Sequence, residues 1–325
     1  VRLLRVELTR LRWRRAVVVL LAGCLLLPAV LWAGLAWNTR PFSEADVREA
    51  QAQLDQELAQ PYIDREIRRC TRNPQDYGLQ DAPDVEEACG VALGPQLDWF
   101  LYRPQLDVAE QERGTGLGVV TVLVALVLLL GTTFAGHDWN SGSMSNQLLF
   151  EPRRLRLWVA KAAAVLLTGL VVGALVLAAF WAGVWLLAES RDVQGTAAAW
   201  ASIRGSVLRA VPLVALAGVG GYALTMFFRS TVATLGVMFA VTVAGNLLVA
   251  ALLGDGSSRW LLPVNVAAYL FDGVEYYDPG RCTNPVVECD PTSMLSLTAG
   301  GTYLLVLLVA AVVLSVWSFR RRDVP

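Results

Sequence analysis

The fold class this chain predicts is an all-α polytopic membrane protein with six transmembrane helices, and three observations predict it. Of 325 residues, 55% are hydrophobic and only 17% charged, with a mean hydropathy of +0.48. A soluble domain carries about 25% charged residues. Six stretches are apolar over the roughly 20 residues that a helix needs to cross a hydrocarbon core about 30 Å thick. The arginines, finally, fall on alternate connecting segments, as the positive-inside rule requires.

Taken in order, residues 1–15 read as a basic interfacial helix, with Val1, Leu4, Leu8 and Leu11 on one face. Residues 16–37 form span 1, too long for a signal-peptide core and lacking a small-x-small cleavage site, hence an uncleaved anchor. Residues 38–115 are an extracytoplasmic loop domain. Within it Ser43 is an N-cap, Glu44 and Asp46 suit the first turn of a helix reaching Arg69, and Pro61 interrupts that helix; 71–84 is irregular. Span 2 covers 116–136, a cytoplasmic loop with a short helix 137–159, span 3 160–187 and an outer loop 188–205. Spans 4 and 5 cover 206–228 and 231–253. Residues 254–297 form an outer segment whose apolar part, with Pro263 near its start, is interfacial or re-entrant. Span 6 covers 298–318, and 319–325 is a tail.

Charge gives the orientation. Residues 1–15 hold six arginines and one glutamate, and 137–161 hold three arginines, Lys161 and two acids, whereas 38–115 hold eight arginines and sixteen acids. Residues 255–297 hold two arginines and six acids. Six spans place every positive segment on one face and both strongly negative ones on the other, so both termini are expected in the cytoplasm of a plasma (inner) membrane protein. Cys70, Cys89, Cys282 and Cys289 all fall on the exported face, where an oxidising compartment favours disulfides. The local pairs Cys70–Cys89 and Cys282–Cys289 are the simplest of three connectivities.

The same inventory excludes chemistry. With one lysine and one histidine in the chain, there is no Gly-Lys-Ser/Thr phosphate cradle, no H-E-x-x-H and no G-x-S-x-G. Gly114, Gly116 and Gly118 stand at the mouth of a span and form no phosphate loop. His137 reads as a surface loop residue. No cofactor, no metal site and no catalytic residue is expected in this chain. Apart from Lys161 at the very start of span 3, the spans carry essentially no ionisable groups except Arg209, which argues against ion coupling. Tyr222, Thr225, Thr242 and Asn246 are their candidate cavity-lining polar side chains, and Gly169 and Gly173 form a G-x-x-x-G packing pair.

The segment from Gly136 to Lys161 carries the most information: Asp138-Trp139, then Ser141-Gly142-Ser143, Leu148-Leu149-Phe150, Pro152, Arg153-Arg154 and Ala160-Lys161. It resembles the second-to-third-span loop of ABC-transporter permeases of the type-2 exporter family. A basic N-terminal segment, six spans, a Pro-containing segment before the sixth and the tail Phe319 to Asp323 are similar too. Asp138 stands where glutamate is commoner and Ser143 where threonine is.

The resemblance implies a permease that moves a hydrophobic or amphipathic substrate by alternating access. It implies two separate P-loop ATP-binding cassette subunits, which would hold ATP and magnesium, and a second permease copy or paralogue in the surrounding lipid; no nucleic acid is expected. It also implies that Asp138, Ser141, Gly142, Ser143, Leu148, Leu149, Phe150, Arg153 and Arg154 couple to the ATPase. Two other readings compete: a non-transporting scaffold or sensor whose ectodomain binds a partner, and a secondary transporter.

Overall fold

The computed structural model describes residues 2–193, 195–253, 255–278, 282 and 290–323. In chain order the α-helices are α1 (Arg2–Arg12), α2 (Arg15–Asn38), α3 (Glu44–Leu58), α4 (Pro61–Arg72), α5 (Val85–Leu93), α6 (Val108–Gln111) and α7 (Leu117–Asn140). There follow α8 (Ser143–Phe150), α9 (Arg154–Glu189), α10 (Ala197–Phe228), α11 (Thr231–Phe239), α12 (Gly245–Leu253), α13 (Leu262–Leu270) and α14 (Leu297–Arg321). One antiparallel ribbon, β1 (Val274–Tyr277) with β2 (Thr292–Leu295), pairs Val274 with Leu295. That ribbon and α5 were not expected from the sequence.

Among the described residues, five helical stretches are long and apolar enough to cross a membrane: Arg15–Asn38, Val108–Asn140, Arg154–Glu189, Ala197–Phe228 and Leu297–Arg321. This is a membrane protein of almost wholly helical build. The expected span 231–253 is one run of helical pieces, α11 and α12 joined by a π-helical stretch Ala240–Ala244. Helix α10 begins at Ala197, so much of the expected outer loop 188–205 is helical.

The chain divides into two compact units. The smaller, Gly34–Leu106, holds α3, α4 and α5. Ser43 caps α3 as expected, in a reciprocal capping box with Asp46. Hydrogen bonds from Ser43, backbone first and hydroxyl second, hold the Asp46 carboxyl below its ordinary range. Pro61 interrupts the expected helix, as the sequence indicates: α3 ends at Leu58, and Pro61 starts α4 at the first helical position, where its missing N–H has no intrahelical partner to lose. The Cys70–Cys89 disulfide joins α4 to α5 across a Cα–Cα distance of 5.9 Å. Cys289, and with it the Cys282–Cys289 pair, lies outside the described residues.

The larger unit, Val1–Ala33 with Asp107–Pro325, is organised around α10, which packs on both α7 and α9. Lipid tails are as apolar as leucine, so helices associate in a bilayer by close packing, which small residues permit. A Cβ on Gly131 of α7 would lie 2.0 Å from the Gly218 carbonyl oxygen of α10, and one on Gly169 of α9 would lie 2.8 Å from Ala215 Cα. Gly173 has ordinary contact distance to Val214. At one end of this bundle Leu130, Phe134, Met144, Trp158, Tyr222 and Phe319 share a core with Leu11 and Val17. Helix-end carbonyls at this end are taken by arginines: Arg154 donates to the Phe319 and Arg322 carbonyls at 3.0 and 2.7 Å, and Arg229 to that of Asp323 at 2.7 Å. Cationic donors suit the negative ends of helix dipoles.

Candidate functional site

Helix α7 ends at Ser141, whose N–H bonds back to the His137 carbonyl at 3.0 Å, and Gly142 then turns the chain at φ 66°. That left-handed conformation suits glycine, which has no Cβ to clash. Ser143 opens α8 and points its hydroxyl back across the turn, donating to Asp138 Oδ1 at 3.1 Å. An acid, a glycine four positions on and a hydroxyl at the fifth thus build one helix reversal. Glu151 caps the end of α8, Pro152 follows, and α9 starts at Arg154.

Asp138 is fully buried at the C-terminal turn of α7. Its Oδ2 accepts from Lys161 Nζ of α9 at 2.6 Å, and its Oδ1 accepts from Arg10 Nη2 of α1 at 3.1 Å and from the Arg14 guanidinium. Lys161, also fully buried, donates to Glu7 Oε2 at 2.9 Å, and Glu7 receives Arg10 Nη1 at 3.3 Å. Arg10 further donates to Ser143 Oγ at 2.9 Å, and Gln147 does so at 2.7 Å. Phe134 lies beneath, its ring 4.7 Å from the Arg14 guanidinium and 5.1 Å from Lys161 Nζ. Buried charges are tolerated where each is paired and hydrogen-bonded. Here three cations meet two carboxylates, and the closed circuit ties α1, α7, α8 and α9 together.

The residues expected to couple to a partner separate into two groups. Asp138 and Ser143 belong to the buried circuit. Leu148 corrects the expectation of an apolar outward anchor: it is half-buried against the core, as Met144 is fully buried, because these positions share the inner side of α8. Leu149 and Phe150 point away, 81% and 91% exposed, at the tip of α8. Arg153 is exposed, and Arg154 is half-buried where it caps α14. Ser141 and His137 sit exposed on the last turn of α7, their side chains 3.5 Å apart.

The candidate cavity residues are placed otherwise than expected. Tyr222 is fully buried and donates to the Trp158 carbonyl at 3.1 Å, while Thr225 is buried and bonds to Gly221 of its own helix at 2.9 Å. Both serve helix packing. Thr242 bonds to the Met238 carbonyl at 2.8 Å within the exposed π-helical stretch, and the Asn246 side chain lies outside the described residues. Sequence reasoning missed Glu7, Arg10, Arg14 and Lys161 as a group. Two signals pointed to them: one acid alone in a run of six arginines, and one lysine in a chain that otherwise uses arginine.

No family model, curated protein or solved structure matches this chain.

Proposed function

We propose that this chain is the transmembrane subunit of an ATP-driven exporter, moving a hydrophobic or amphipathic substrate, with ATP hydrolysis in a separate P-loop subunit. The observation that carries the reading is α8. Eight residues are too few for a helix to be stable alone in water, yet this one ends in two large apolar side chains that stand 81% and 91% exposed among the described residues. An apolar tip on a polar end of the bundle fits the cleft of a partner, where buried apolar anchors dominate binding.

The buried circuit behind the tip supplies the mechanical half of the proposal. Ser143 and Gln147 sit on α8, and through Ser143 and Asp138 any displacement of α8 reaches the first turns of α9 and the N-terminal helix α1. Charge pairs of this kind resist being pulled apart, since separation would leave a charge buried and unpaired. In this reading α8 acts as a lever and the circuit as its fulcrum. A Gly142 at positive φ sets its angle.

Co-expression with the candidate ATPase tests both halves. A Leu149→Asp, Phe150→Asp double variant should reach the membrane in parental amount, yet recover less ATPase on purification and lose substrate-stimulated ATP turnover by at least roughly tenfold, as expected for two interface anchors. Parental assembly and turnover in that variant would reduce α8 to a solvated connector and remove the exporter reading's main support.

A further inference from the structure

At the same end of the bundle, beside the circuit but outside it, lies a cavity of about 390 Å³ lined by Arg153, Arg154, Leu155, Arg156 and Arg320. Four of its five lining residues are arginines and none is acidic. Arg154 is held in place by the carbonyls of Phe319 and Arg322. The side chains of Arg153, Arg156 and Arg320 make no hydrogen bond or ion pair among the described residues. The cavity also faces the start of α9, a helix of 36 residues whose first turn has no side-chain cap. Its free N–H groups and the positive end of its dipole add to the same sign of charge.

Like charges gathered around a hollow repel one another; the neighbouring Glu151 carboxylate accepts from the Arg153 backbone N–H at 3.3 Å, and the Phe319 and Arg322 carbonyls are taken by Arg154. The arrangement is complementary to an anion with several acceptor oxygens, which guanidinium groups bind in forked pairs. What surrounds the cavity narrows the source of that anion. Leu155 stands in its wall, 47% exposed, and Val159 one turn further along α9 is 50% exposed. On α14, Trp317 and Val313 precede Arg320 along the helix and are 51% and 58% exposed. Arg321 lies over the Trp317 ring at 5.4 Å. A basic rim, an interfacial tryptophan and an apolar stripe running down two membrane-length helices form the sequence of environments that a phospholipid presents from headgroup to acyl chain.

We propose that this cavity is a headgroup site for an anionic glycerophospholipid, its phosphate held by Arg153, Arg154, Arg156 and Arg320 and its glycerol–acyl portion lying against Leu155. The site shares Arg153 and Arg154 with the residues expected to couple to an ATPase, but it lies beyond the Pro152 turn from the Leu149–Phe150 tip that carries the proposed contact, and it requires no second protein.

The test uses the purified full chain in a neutral detergent, titrated with phosphatidylglycerol or phosphatidylcholine and read by native mass spectrometry. Phosphatidylglycerol should bind more tightly than phosphatidylcholine. The triple variant Arg153→Gln, Arg156→Gln, Arg320→Gln should lose on the order of 100-fold in phosphatidylglycerol affinity, about fivefold for each basic side chain removed near an anionic lipid surface. A charge-matched variant on exposed positions of α1 (Arg2→Gln, Arg5→Gln, Arg12→Gln) should retain parental affinity. Should the triple variant aggregate, Arg156→Gln alone decides, with about a fivefold loss that Arg156→Lys restores.

Equal losses in the two triple variants would reduce the effect to bulk charge and overturn the site. So would equal binding of the two lipids. Displacement of the lipid by inorganic phosphate would assign the cavity to a free anion instead. If the arginine substitutions change no lipid affinity but abolish recovery of an acidic protein, the cavity is a protein contact and the lipid proposal fails.

Discussion

Lys161 shows how much one side chain can be constrained. A chain with 27 basic residues uses lysine once, at a position with no solvent exposure. Its ammonium is a compact charge that reaches Glu7 at 2.9 Å and Asp138 at 2.6 Å from one point. A guanidinium is planar and broader, and its fork suits two oxygens of one carboxylate rather than one oxygen from each of two. Asp138 is the more demanding partner, because Lys161, Arg10, Arg14 and Ser143 all converge on it. We therefore expect Asp138→Asn to cost about 3–5 kcal/mol, the usual penalty for leaving buried charge unpaired. Ser143→Ala should cost only about 1 kcal/mol, one hydrogen bond among several. Chemical unfolding of the purified chain in detergent measures both. A cost for Asp138→Asn no larger than that for Ser143→Ala would show that the circuit is not what holds α1 to the bundle.

Among elements, α10 owes its central place to glycines on its neighbours as much as to its own apolar surface. The Gly131–Gly218 approach leaves no room for a side chain, and Gly221 is as tight, a Cβ there falling 2.4 Å from the Leu128 carbonyl oxygen. Each such contact lets two helices come close enough for dispersion along their whole length. Gly118, on the same helix as Gly131, faces open space. Gly131→Ala should thus destabilise the protein by about 1–3 kcal/mol or block its folding, as overpacking does, whereas Gly118→Ala should be neutral or slightly stabilising because alanine favours helix. Thermal unfolding of the pair separates packing from propensity; equal behaviour would mean that α7 and α10 can slide apart at no cost. The fragmentation of the run 231–253 has a related cause. A π-helical stretch adds a residue to a turn, and here it falls where the side chains are exposed at nearly every position, so tight packing does not enforce a regular ladder.

At the scale of the whole molecule, charge and disulfide chemistry make a joint statement about sidedness. From charge and disulfide chemistry alone we propose that the arginine-rich segments face the cytoplasm and that the Cys70–Cys89 disulfide forms on the exported face. In intact cells an impermeant maleimide should label Gln75→Cys without permeabilisation, and Arg5→Cys and Arg321→Cys only after it. All three native positions are exposed. Labelling of Arg5→Cys and Arg321→Cys from different faces would require an odd number of spans, and the run 231–253 would then lie along the membrane instead of through it.

What the sequence determined by itself was which segments are apolar helices long enough to cross a membrane, with the cap at Ser43 and the Cys70–Cys89 pairing. Hydropathy over 20 residues, a capping residue and two cysteines 19 positions apart are local properties that need little knowledge of neighbours. A short helix in the segment 137–159 was legible for the same reason, but its start at Ser143, after the Gly142 turn closed by the Ser143–Asp138 hydrogen bond, was not. Tertiary structure alone decided which charges are buried, because burial depends on what packs from elsewhere. Glu7 and Lys161, 154 positions apart, meet only when α1 lies against α9. It alone turned Leu148 inward and Leu149 outward, since a helix of two turns presents apolar residues on both sides and only the core beneath it chooses between them. And it alone gathered Arg153 and Arg156 with Arg320 from the far end of the chain, for like charges come together only where a fold holds the helices that carry them.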